Sequence, residues 1–172
     1  MAIYSLALRT TVTTIAAASH AALSPATNEA AIMEYSYING AATACFVGLG
    51  RSANTPTLTG GVAFLAEDEG RTTGLTQAAV AFGTAPTVPT QFFRKFSLAA
   101  LVGAAICFTF PRGIVLAAAG AAFTTWNITA NSAVVDISMV ADEGARSVTT
   151  GTICTAILRS RSSASRYSGQ AS

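Results

Sequence analysis

The chain is poor in the side chains that do chemistry. It carries one histidine, His20, and only eight acidic residues among 172. Nucleophilic hydrolysis needs a base beside its nucleophile, yet His20 lies in an Ala- and Ser-rich stretch and no Gly-x-Ser-x-Gly elbow accompanies it. His20 is therefore read as helix-facing or exposed rather than catalytic. So few acids also leave little material for a glycosidase-like carboxylate pair. The three cysteines, Cys45, Cys107 and Cys154, are too few and too widely spaced for a disulfide framework or a zinc site. Cys45 and Cys107 sit in strand-like apolar surroundings and are expected to be buried free thiols. Cys154 lies in the tail, where a thiol could pair between chains in an oxidising medium. Gly48 to Ala53, GLGRSA, has two glycines of a dinucleotide fingerprint but lacks the third and a following helix.

Charge of either sign is scarce as well. Charged residues make up 10% of the chain and apolar ones 51%, against about a quarter charged in an ordinary soluble domain. Such a surface calls for a cover, either lipid or protein. Lipid is the poorer choice, because the most apolar segments, such as Ala99 to Phe110, are interrupted by Gly103 and Thr109 and stopped by Pro111. They fall short of the ~20 residues that a spanning helix needs. No membrane association is therefore expected, and protein contacts are favoured. The Ala-rich N-terminus has no basic n-region, its only early charge being Arg9, so it reads as a cytosolic start rather than a signal peptide.

What the sequence does contain is a succession of short strand-like runs separated by turns. Ile3 to Arg9 is a candidate first edge strand, and Thr10 to Ile15 is β-branched and extended. Ala16 to Ala22 suits a short helix or a strand before Ser24-Pro25. Glu29 to Ile38 and Ala41 to Leu49 flank Asn39-Gly40, which predicts a β-hairpin. Gly50 to Gly61 is a loop, Val62 to Ala66 a short strand, and Glu67-Asp68-Glu69-Gly70 an acidic turn without the spaced ligands of a calcium loop. Thr72 to Phe82 is β-compatible, and the next seven residues form a loop held extended by Pro86 and Pro89. Gln91 to Leu98 is a strand candidate, with Phe92, Arg94 and Phe96 on one parity and Phe93 and Lys95 on the other. It suits a subunit contact, and equally a core strand whose basic residues snorkel.

The organising stretch runs from Ala104 to Glu143. Ile106, Phe108 and Phe110 alternate with Cys107 and Thr109, a period of two; Pro111-Arg112-Gly113 breaks the run; Ile114 to Leu116 and Ala122 to Ile128 resume it. Ser132 to Val140 sets Val135, Ile137 and Met139 against the opposite parity. Strands of this spacing predict an all-β sandwich or barrel of about eight or nine strands. The β-domain is assigned to residues 1–143. Residues 144–172 carry Arg146, Arg159, Arg161 and Arg166 without an acid, a net +4, whereas the preceding body has six basic residues against eight acids, a net −2. The tail is either a basic arm that docks on a neighbour or a frayed terminus. No basic face in the body supports nucleic-acid binding, and no cofactor, metal or catalytic set is identified.

The segments NGAATACFVGLGRSANTPT, GTAPTVPTQFFRKFSL and FPRGIVLAAAGAAFTTWNITANSAVVDISMVADE together resemble small tailed-bacteriophage virion proteins of the jelly-roll kind that decorate or cement the outer head surface. The resemblance is one of overall pattern across residues 29–143. It implies a jelly-roll-like antiparallel sandwich of eight strands with a C-terminal extension. It also implies a trimer that bridges capsomers of the major capsid protein, made in the host cytoplasm and located on the virion. The Arg/Ser tail, with Arg146, Arg159, Arg161 and Arg166, becomes a candidate capsid-contact arm, and Phe92, Phe93, Arg94 and Phe96 a candidate subunit-interface strand. Two other classes are considered. A carbohydrate-binding sandwich of a tail fibre or adhesin would use an exposed platform at Tyr35, Tyr37 or Trp126, and a β-sandwich enzyme would need a metal or carboxylate site.

Overall fold

The structure, a computed structural model, describes residues 2–10, 17–24, 27–129 and 134–144. It is all-β with antiparallel sheets in a sandwich-like arrangement, and there is no helix among the described residues. In chain order the strands are β1 (Ala2–Thr10), β2 (Ala18–Leu23), β3 (Ala30–Asn39), β4 (Cys45–Arg51), β5 (Thr57–Thr59), β6 (Val62–Ala63) and β7 (Leu65–Ala66). They continue with β8 (Gln77–Ala79), β9 (Ala81–Thr84), β10 (Arg94–Leu98), β11 (Ala105–Leu116), β12 (Phe123–Asn127) and β13 (Val135–Glu143). One sheet has the order β11-β3-β13-β1-β7, the other β10-β4-β12-β2-β8-β6, and β5 pairs separately with β9.

The long strands pair in nested fashion: β1 with β13, β2 with β12, β3 with β11 and β4 with β10, every pair antiparallel. Consecutive strands β1 to β4 therefore alternate between the two sheets. This corrects the hairpin expected at Asn39-Gly40, because β3 and β4 belong to different sheets. Asn39 is instead a corner. Its side-chain amide donates to the carbonyls of Thr43 at 2.8 Å and Ala99 at 3.3 Å, and its side-chain oxygen accepts from the Ala41 N–H at 3.2 Å. Its backbone bonds Ala104 and Gly103, so one buried residue ties the β3–β4 and β10–β11 crossings together.

Period-two alternation holds where it was read most clearly. Val135, Ile137 and Met139 are buried in the core, as are the inward-facing parts of Ile106, Phe108 and Phe110. Pro111-Arg112-Gly113 does not end the strand, however. β11 runs on to Leu116, and residues 110–113 form a bulge opposite Met33 of β3. The register of β13 against β3 also skips Met33, so Met33 is an extra residue on both sides. As bulges do, it re-aims the strand: Ile32 enters the core before it, and Tyr35 and Tyr37, on the other parity, enter it after. Gly113 has φ +67°, and a Cβ there would lie 2.7 Å from the Ala31 Cβ, so the bulge needs glycine.

The residues between β4 and β10 close one side of the sandwich. The chain passes from β6 in one sheet, through fully buried Phe64, to β7 in the other. Beside it, the buried Glu143 carboxylate at the end of β13 accepts the Leu75 and Thr76 N–H groups at 2.9 and 2.6 Å. On the opposite side, formed by β10 and β11, the described residues add no further strand. β1 is consequently not an edge strand over its whole length: it is flanked by β13 throughout and by β7 at Tyr4 and Ser5.

Replacing Asn39 with Ala removes three part-buried hydrogen bonds, each contributing about 0.5–1.5 kcal/mol. N39A is expected to lose stability by at least that amount in urea unfolding, and a midpoint equal to that of the wild type would contradict the corner role.

Candidate interaction surface

The strand proposed as a subunit contact divides between three environments. β10 begins at Arg94, later than Gln91. Phe96 points into the core, with its ring 5.4 Å from both Tyr37 and Phe108. Phe92 does not share that face. It lies on the outer side of the β10-containing sheet, where a Cβ on Gly48 would come within 2.6 Å of its ring and one on Gly50 within 3.3 Å. The two glycines thus make room for an aromatic ring, which accounts for a glycine spacing that resembles half a nucleotide fingerprint. Lys95 reaches over the Phe92 ring at 5.0 Å.

Phe93 is 37% exposed, with the Arg51 guanidinium 5.5 Å from its ring centre. Arg51 also donates to the Val115 carbonyl of β11 at 2.7 Å, and Arg94 donates to the Phe93 carbonyl at 2.8 Å. Of residues 92–96, Phe93, Arg94 and Lys95 face solvent, while Phe96 belongs to the core. The outer end of this side carries Leu101 and Val102, 63% and 62% exposed on a turn fixed by Asn39.

The closed side of the sandwich presents a second apolar surface. Val62 and Leu65 are 45% and 63% exposed. They border a groove along β1 and β13 that also involves Ser5, Ala7, Val140 and Glu67. The expected acidic turn is here: Glu67, Asp68 and Glu69 are exposed, Glu67 accepts from the Ser5 hydroxyl, and Asp68 pairs with Arg71 at 3.3 Å. Sequence reading did not identify this groove, because a two-residue strand such as β7 leaves no periodic signal.

The core holds the one line of polar groups that resembles a catalytic relay. The Tyr35 and Thr125 hydroxyls are 2.8 Å apart, and Thr125 Oγ1 is 2.9 Å from His20 Nε2. All three residues are fully buried and His20 stacks on Tyr35, so substrate has no access to them. His20 is thus neither helical nor exposed: it is an inward residue of β2. Burial pushes its pKa down to about 3, and its Nδ1 has no hydrogen-bond partner. Burial likewise raises the Tyr35 and Tyr37 phenols and the Cys45 thiol.

The remaining expected sites fare unevenly. Tyr35, Tyr37 and Trp126 are buried, so the aromatic platform for a glycan is not on the surface. Cys45 is buried as expected, but Cys107 is exposed, because its parity on edge strand β11 faces away from the core. Cys154, Arg146, Arg159, Arg161 and Arg166 lie outside the described residues. Among the described residues no three His, Cys, Asp or Glu side chains gather to hold a metal. No known protein family, curated protein or solved structure matches this chain.

The unfolded chain binds a proton at His20 near pH 6.5 and the folded chain only near pH 3, so the unfolded state holds more protons between these values. This contribution to stability is complete above pH 6.5 and falls as pH drops through that window, by about 1.4 kcal/mol per unit. A His20→Gln variant lacks the titration. Urea midpoints of the two proteins are expected to converge or cross as pH falls from 6.5; a constant difference would contradict the buried neutral histidine.

Proposed function

We propose that the chain is a structural virion protein, a decoration or cement protein that binds the outer head of a tailed phage as an oligomer and bridges capsomers. The observation that carries this reading is the surface. Large apolar side chains, Leu65, Leu101 and Val102, stand more than three-fifths exposed on a chain that is poor in charge. Large apolar side chains left exposed on both sides of the sandwich suit contact with other proteins.

The strand order supports a jelly roll as the finer description of the fold. The nested pairs place β1-β13-β3-β11 in one four-stranded layer and β2-β12-β4-β10 in the other. That is the arrangement of a folded-over ribbon with two Greek keys, an architecture used by viral capsid and lectin domains. Fold alone does not assign a function. The buried positions of Tyr35, Tyr37 and Trp126 weigh against the lectin alternative based on those residues. The mechanism is mechanical: each copy buries apolar surface against the shell, and many copies holding adjacent capsomers make modest contacts collectively strong. The arm carrying Arg146, Arg159, Arg161 and Arg166 adds a cationic contact to an acidic shell surface, with Cys154 available for pairing between chains.

Purified protein added to expanded phage heads that lack it is expected to bind to saturation at a fixed copy number and to raise the temperature at which the heads open. Removing residues 144–172 is expected to weaken binding at least tenfold. Heads that sediment without bound protein would overturn the proposal.

A further inference from the structure

Four of the six basic residues in the body lie on the β10–β11 side: Arg51, Arg94, Lys95 and Arg112. Arg9 and Arg71 lie elsewhere, beside Asp136 and Asp68. Across the molecule, the apolar groove beside β7 is bordered by Glu67, and Glu69 stands exposed two residues on. The two sides also share apolar character, through Phe93 on one and Val62 and Leu65 on the other. We propose that they are the two halves of one head-to-tail interface, in which the Phe93–Lys95 segment of one copy packs into the Val62–Leu65–Glu67 groove of the next. The inference rests on the oligomeric part of the reading above and names the surface that makes the oligomer.

The register of the sheets shows that the two halves lie at the same height along the strands. In one sheet Leu65 pairs with Ser5, Ser5 with Val140, and Val140 with Glu34, beside Tyr35. In the other, Arg94 pairs with Leu49, and Leu49 with Thr125. The Tyr35–Thr125 hydrogen bond joins these two rows across the core. A single level thus runs from Leu65 on one side to Arg94 on the other. A heterologous contact closes into a ring only when successive copies rotate without climbing, and otherwise it grows into a filament. Patches at equal height meet that condition for an axis parallel to the strands. The charges supply the direction: a basic edge repels its own copy and attracts the acidic groove, which disfavours an edge-to-edge twofold contact. Among the described residues β10 and β11 have no strand partner on this side, and cover by a neighbouring copy would protect their edges.

Charge reversal on the full chain tests this directly by light scattering at low and high salt. R94E/K95E and E67K/E69K alter exposed residues, and circular dichroism and thermal unfolding establish that each variant is folded. Each is expected to associate at least tenfold more weakly than the wild type, and the wild-type oligomer to weaken with added salt. The variant carrying all four substitutions exchanges the signs of the two halves and is expected to recover the wild-type mass. A wild-type protein that is monomeric, paired variants that keep the wild-type mass, or a folded fourfold variant that stays dissociated would each overturn the interface. Heads that bind the protein as a monomer would overturn this interface while leaving attachment to the head in place.

Discussion

Tyr35 and Tyr37 set how the two sheets sit on one another. Both point inward from β3, two residues apart, and each engages the opposite sheet by a different chemistry. Tyr35 meets Phe123 edge-on at 5.6 Å and joins the Thr125 hydroxyl, whereas Tyr37 meets Phe96 edge-on at 5.4 Å. Edge-on aromatic pairs are directional, and a buried hydroxyl must keep its partner. Together they allow little sliding of one layer over the other. The Met33 bulge makes this possible, since without the extra residue the tyrosines would fall on the solvent parity.

The same geometry decides what remains exposed. The chain between β4 and β10 closes one side through Phe64 and lays Phe92 over Gly48 and Gly50. On the other side β10 and β11 are the last strands among the described residues. A composition with so few charges suits protein contact on the side that the described residues leave open. Among the buried polar groups, Asn39, Glu143 and the Tyr35–Thr125 pair are hydrogen-bonded, whereas the His20 Nδ1 is not.

Much of the fold was legible in the sequence, because alternation on a half-buried strand is a local signal. Ile106 to Phe110 and Val135 to Met139 declare their inward faces directly. The failures arose where the deciding partner is distant. Asn39-Gly40 has the composition of a hairpin turn, yet Thr43 and Ala99 make it a corner between sheets. Pro111-Arg112-Gly113 looks like a strand end, but a bulge accommodates all three residues because Met33 stands opposite. His20 carries no local sign of burial, since its neighbours are alanines and a serine. The interaction surface was half legible: the Phe and basic residues of 92–96 were noticed, but which of them face outward depends on where β10 begins. The groove at Val62 and Leu65 exists only through pairing with β1.

The central claim is that this sandwich works as an assembled unit, with its unclosed side seated against the closed side of a neighbour. Peptide-resolved hydrogen exchange, compared between the assembled protein and the same protein diluted until it dissociates, tests it most directly. The account predicts that assembly slows exchange in two segments together, residues 62–69 and 93–98, while the already paired amides of β3 and β13 change little. Equal exchange of both segments in the two states, or protection of one segment alone, would contradict it.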